Sequence, residues 1–198
     1  MGLTFTEKDG QTPLNEEEKE GLLIPTITTR AELDEFEQQN IEQAVQWTMG
    51  QSFKPEKVWN EEFICAIHQR MFAQVWGWAG EFRKTNKSIG IDFWHIPTAL
   101  RYLLDDIRYW HVNNTYSPDE IALRFKHRIV SIHCFPNGNG RHSRLMADII
   151  IEKVYMQPVF SWGAANLSSA SDARATYLKA VKAADQSDYS LLLAFARS

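Results

Sequence analysis

The chain of 198 residues contains no apolar run near the ~18 residues that a membrane-spanning helix needs. Its first residues also lack the basic and apolar segments of a secretory signal, so a cytoplasmic protein without membrane attachment is expected. Cysteine is scarce. Cys65 and Cys134 stand in unrelated surroundings with no C-x-x-C pattern, which argues against both a disulfide framework and a zinc knuckle. Basic excess is missing too: 21 Lys and Arg face 25 Asp and Glu, for a net charge of -4, and no direct nucleic-acid partner is expected. The six histidines show no H-E-x-x-H or comparable spacing, so a metal held by protein ligands alone is not expected from them. There is neither an internal repeat nor a low-complexity segment.

What is present is helical periodicity. Residues 1–27, with Gly10, Thr12-Pro13, three consecutive glutamates from Glu16 and Pro25, read as an extended, peripheral arm. From Thr29, a cap candidate, Leu33, Phe36, Ile41, Ala44, Val45 and Trp47 recur at near-helical spacing and predict a helix over 29–49. Asn60 can cap a second helix whose buried face is Phe63, Ile64, Ile67, Met71 and Phe72. The segment GEFRKTNKSIGIDFWHIP breaks the pattern, and its short alternation predicts a small hairpin around Ser88, Ile89, Gly90 and Ile91. Of Trp76, Trp78 and Trp94 near it, two are expected in the core. Helix resumes near Thr98 and stops at Asn113-Asn114.

Ser117-Pro118-Asp119-Glu120 combines an N-cap serine, proline at the first helical position and glutamate at the third, which predicts a complete capping box. The helix it opens carries Ile121, Phe125, Ile129 and Ile132 on one face and leads to His133. Another helix follows the turn Pro136 to Gly140 and stops before Pro158; two more, about 171–184 and 188–197, close the chain. An all-α domain over 28–198, with its core in 60–198, is expected.

The stretch HCFPNGNGRHSR, His133 to Arg144, joins two of these helices. The start of a helix exposes N–H groups and a partial positive charge, and Gly138 and Gly140 let the backbone close around an anion. Arg141 and Arg144, three positions apart, can reach one polyphosphate together. His133, neutral near pH 7, can accept a proton from an attacking hydroxyl, and Phe135 can anchor the loop. Each element alone has an ordinary structural reading: a turn, a buried histidine, a solvated face. The Lys-Ser/Thr ending of a Walker P-loop is missing.

This stretch resembles the signature H-x-F-x-[D/E]-G-N-G-R-x-x-R of the Fic (Fido) family, and the order of elements from GEFR onward is similar as well. The TPL and GLLIPT segments resemble the bacterial subfamily called mobile mystery protein B. The resemblance implies a Fic-type helical bundle that transfers AMP from ATP to a Ser, Thr or Tyr hydroxyl of a target protein. His133 would be the general base; Gly138, Asn139 and Gly140 the anion hole; Arg141 and Arg144 phosphate ligands; Ser88 to Ile91 a flap that docks the target by strand addition. Asn137 stands where the family has the acid that holds Mg²⁺ (or Mn²⁺), and a neutral amide loses the charge attraction of such a site. The family's inhibitory motif is followed at Thr28 to Glu32 except in its last position, so Glu32, or Glu37 on the same helix, is expected to restrain the site by pairing with the second arginine. A helix facing the nucleotide would carry Arg174 and Tyr177 toward the base. A small helix-turn-helix regulatory partner is also implied, as for a toxin and its regulator. Two alternatives stay open: a kinase-like transfer of the γ-phosphate and a non-catalytic nucleotide-binding module.

Overall fold

The computed structural model describes residues 15–164 and 170–198, except for the side chains of Glu17 and of 170–174. In chain order the helices are α1 (Glu16–Glu20), α2 (Arg30–Met49), α3 (Pro55–Val58), α4 (Glu61–Phe72), α5 (Ile96–Asn113), α6 (Pro118–Ile132), α7 (Asn139–Ile149), α8 (Ala170–Asp185) and α9 (Ser190–Arg197). A 3₁₀ turn, Phe93–His95, leads into α5, and a π turn, Ile150–Val154, ends α7. The described residues form an all-α fold.

Local chemistry sets most of the starts. Thr29 accepts from Glu32 N at 3.2 Å while the Glu32 carboxylate accepts from Thr29 N at 2.9 Å, a closed capping box that opens α2. Asn60 caps α4 through Glu62 N at 2.7 Å. Ser117 caps α6 through Glu120 N, but the expected reciprocal half is absent: Glu120 turns outward to Arg124 at 2.8 Å, because an i,i+4 cation outcompetes the cap backbone for its carboxylate. The α5 helix stops at Asn114, which takes the left-handed conformation (φ 49°).

Helix α6 runs through the middle. Ile121, Phe125, Ile129 and Ile132 are all buried, and α5, α7 and α9 pack around it. Each large apolar side chain so buried contributes ~1.5–3 kcal/mol. On the other side, α2 lies along α4, and α4 against α7. Loops on this frame place the ends of α6 and α7 together, with the last turns of α4 behind them.

Two expectations need correction. The arm is not peripheral over its described part: Ile27 is buried, Gly77 N donates to Gly21 O at 2.8 Å and Leu23 N to Val75 O at 2.9 Å. Glu18 and Lys87 pair in a buried contact, and Asn15 donates to Thr85 at 3.2 Å. Nor is there a hairpin at 88–91, or any strand ladder among the described residues. The segment is a loop whose carbonyls are gathered by one side chain instead: Arg83 donates to Thr85 O at 2.8 Å and to Ile91 O. Of the three tryptophans, Trp76 is buried, Trp78 is partly buried against the core and Trp94 is 57% exposed.

Candidate active site

His133 is the residue at which α6 ends. Its backbone is left-handed (φ 59°, ψ 60°), a conformation that costs a non-glycine residue about 1–2 kcal/mol, and its N–H still bonds Ile129 O at 3.2 Å. Neighbours hold it there. Arg83, 2% exposed, donates through Nε to His133 O at 2.6 Å, and its Nη2 also lies 3.5 Å from Ile132 O. Gly90 lies so close that a Cβ on it would come 2.5 Å from His133 Cβ. With φ at 94°, that position suits glycine twice over.

Burial, then the positive charges of Arg83 and Lys87, push the His133 imidazole down to about 4, although a backbone bond at Val130 works the other way. The ring is therefore neutral at pH 7 and able to accept a proton. An anion docked nearby raises its basicity by the same Coulomb argument.

The loop after it is built from inside. Phe135 is wholly buried and stacks on His68 with ring centroids 3.8 Å apart. His68 accepts from Gly80 N through Nδ1 at 3.0 Å, so its Nε2 carries the hydrogen and donates to Asn137 O, also at 3.0 Å. Burial drives this ring well below its ordinary value, and His142, which bonds Ile64 O at 3.0 Å, down to about 4. Asn139 points inward: Oδ1 accepts from Phe135 N at 3.0 Å and Nδ2 donates to Phe135 O at 2.8 Å. Its side chain thus closes the loop, and only its backbone N–H is offered at the start of α7. Gly138 is left-handed (φ 77°) against Phe72, whereas a Cβ on Gly140 would meet nothing within 4 Å. Gly140 is exposed, so the first turn of α7 presents its N–H groups on an open side.

Position 137 does not supply what a metal needs. The Asn137 oxygen accepts from Gly138 N at 2.6 Å, and no cluster of three His, Cys, Asp or Glu residues able to hold a metal occurs among the described residues. The residues present do not fit a protein-held Mg²⁺ or Mn²⁺.

The two candidate restraints separate. Glu32 is spent on the α2 cap, accepting from Thr28 and Thr29, which lowers its carboxyl; it does not reach the loop. Glu37 is 1% exposed, accepts the Trp76 indole N–H at 2.6 Å, and sets Oε2 2.7 Å from Arg141 Nη1. Its cation is thus the first arginine of the stretch and not the second. Arg144 turns toward Tyr177 on α8, with its guanidinium carbon 4.6 Å from the ring centre. The side chain of Arg174 lies outside the described residues. Ser88, Ile89 and Gly90 are exposed, and their backbone groups bond no described residue. Sequence reasoning missed the roles of Arg83 and His68, whose partners lie 50 and 69 residues away; GEFR was the only local sign of Arg83.

Comparison with known proteins points the same way. Residues 58–151 match the model of the Fic/DOC family. Over 103 residues, 48% of this chain, the sequence is 30% identical to "Protein adenylyltransferase Fic" of Drosophila grimshawi, and the match spans 21% of that protein. The fold is similar to BepC of Bartonella tribocorum, solved with bound AMPPNP, at TM-score 0.66 and 15% identity, covering 92% of this chain and 97% of that one. It is similar also to Fic-1 of C. elegans (residues 134–508), at TM-score 0.63 and 20% identity over 90% of this chain and 50% of that one. The chain thus carries at residues 58–151, the span that holds His133, the glycine turn and both arginines, a Fic/DOC-family region within a Fic-type fold.

Proposed function

We propose that this protein is an adenylyltransferase that moves AMP from ATP to a hydroxyl of a target protein. The observation that carries the reading is His133, held neutral at the end of α6 beside the open first turn of α7. In the reaction the hydroxyl oxygen bonds the α-phosphorus, the bond to the β-phosphate oxygen breaks, pyrophosphate leaves and the imidazole of His133 takes the hydroxyl proton. The N–H groups of Asn139 and Gly140 face the phosphates, and Arg141 and Arg144 take the terminal ones. The unbonded backbone of Ser88 to Gly90 supports docking of an extended acceptor segment at the edge beside His133. Glu37 acts as the restraint, since it occupies the cation that a phosphate would otherwise engage. No step is assigned to a protein-held metal.

The test is transfer of label from ATP marked at the α-phosphorus onto the protein itself and a cell lysate. Wild type and Glu37→Gln are expected to label, the second more strongly, and His133→Ala not at all. A second reading, a nucleotide-binding module without transfer, is favoured by the Asn137 oxygen being bound to Gly138 N. Under it, ATP binds, yet neither wild type nor Glu37→Gln labels, while Asn137→Asp is the variant that gains transfer.

A further inference from the structure

Lys126, in the middle of α6, has no exposed surface. A buried ammonium normally faces a carboxylate. Here, among the described residues, its polar partner is the hydroxyl of Tyr177 on α8, whose ring centre lies 4.3 Å from Nζ. Arg144 on α7 hydrogen-bonds the same phenol and lies over the same ring, while its own Nε is buried without a hydrogen-bond partner. Two basic side chains therefore converge on one neutral oxygen.

Among the described residues no carboxylate relieves Lys126, although the charge of Asp148 also acts on Arg144. On α7, Asp148 is taken up by the Trp162 indole N–H at 3.0 Å and by Phe160 N at 3.2 Å, and burial lifts its carboxyl to about 6. On α6 itself, His127 turns to Asp185 and Tyr189, Arg124 to Glu120 and Arg128 to Asp106. From α9 the phenol meets the ring of Phe195, and Arg197 is bound to Asp119. Of the two bases only lysine can shed its proton. Burial first, then the charge of Arg144, bring Lys126 down to about 7. As a free amine it accepts the Tyr177 O–H while the phenol oxygen accepts from Arg144, so the phenol hydrogen and the Arg144 N–H that faces it each have an acceptor.

We propose that Lys126 and Tyr177 form a second tier behind Arg144, and that docking of a polyphosphate on Arg144 carries one proton from solvent onto Lys126 Nζ. The added negative charge offsets the repulsion between the two cations. The new N–H then donates to Tyr177, whose O–H bond stays intact and turns its hydrogen elsewhere. Lys126 is thus a positioning residue that acts through Tyr177 and Arg144. The inference rests on the reading that Arg144 receives the terminal phosphates. By reciprocity, a protein already protonated there binds the anion more tightly.

The experiment is calorimetric titration of ATP into the full chain at about pH 8, in two buffers of different ionisation heat, a pH at which ATP has essentially no proton of its own to release. Wild type is expected to take up close to one proton per ATP, with an affinity that falls toward tenfold per pH unit over about pH 7.5–9. Lys126→Met is expected to bind ATP without uptake and without that slope. Binding without uptake in wild type, or uptake retained in Lys126→Met, overturns the proposal and leaves the nucleotide reading standing. If the methionine variant does not fold, the wild-type profile decides, and a flat one refutes the idea. Failure of ATP to bind wild type at all removes the nucleotide reading and this inference with it.

Discussion

Replacing Asn139 with alanine should unfold the loop more than it disturbs any ligand contact. Asn139 is 5% exposed and Phe135 is fully buried, and the two bonds between them, 3.0 and 2.8 Å, satisfy both backbone groups of Phe135. Truncation leaves a buried N–H and a buried C=O without partners, at about 1–3 kcal/mol each. Water entering the space of the lost amide recovers part of that, so a net loss of about 3 kcal/mol is expected. In urea denaturation followed by tryptophan fluorescence this moves the midpoint down by about 1 M or more at an unchanged slope. Asn139→Asp keeps the acceptor but turns the donor into a buried charge facing Phe135 O, so it should cost at least as much at neutral pH. Asn137→Ala is the control: it gives up a short local bond to Gly138 N at a half-buried position and should cost less than Asn139→Ala. An Asn139→Ala protein that melts within about 0.5 kcal/mol of wild type while losing ATP binding would refute the reasoning and return the side chain to the ligand.

The two glycines should part company: Gly140→Ala, whose Cβ meets nothing, should melt as wild type does and lose label transfer only if a nucleotide approaches there, whereas Gly138→Ala should destabilise by about 2–4 kcal/mol through its positive φ and the 2.5 Å approach to Phe72. Acid should loosen the fold through three rings. His133 and His142 lie at about 4 in the folded chain against 6.5 unfolded, and His68 well below 6.5; the unfolded state therefore binds more protons, and stability that is complete above about pH 6.5 falls as the pH drops toward 4. The loss should reach roughly 3 kcal/mol for each of His133 and His142 at the bottom of that window, and an unfolding midpoint independent of pH between 6.5 and 4.5 would contradict the burial of these rings. Lys126→Met at pH 7 should melt at or above the wild-type temperature, because it replaces a base that has no carboxylate partner among the described residues by an apolar side chain of similar length.

The parts of this site that sequence could show are those made by neighbours in the chain. Ser117 capping α6, the four buried residues of its inner face, and the turn that opens α7 are set within a few residues, so spacing was enough to place His133 between two helices. Glu120 shows the limit even there: the capping pattern was present, but a competing arginine four residues on took the carboxylate. The hairpin at 88–91 failed for a different reason. Alternation reports which side chains face out, not what bonds the backbone, and here a guindinium placed by a distant contact collects the carbonyls that a partner strand would have used.

What could not be read from spacing has a common form. Arg83 on the His133 carbonyl, His68 on Asn137, Glu37 beside Arg141 and Lys126 behind Arg144 each join the loop to a helix or segment that sequence leaves independent of it. Each is also a polar group at least largely buried, where a missing partner costs more than the bond itself gains. Such groups are fixed by the fold as a whole, and they in turn fix the loop: His133 stays left-handed because Arg83 and Gly90 close on it and on the last residue of α6. Arg83→Lys should therefore leave α6 and α7 intact yet release the segment 86–91, since one ammonium cannot span the carbonyls of Thr85, Ile91 and His133 together. Hydrogen exchange at Ile91 N, which faces Ile132 O at 3.5 Å, reads this directly, and exchange as slow as in wild type would show that the loop is held without the guanidinium.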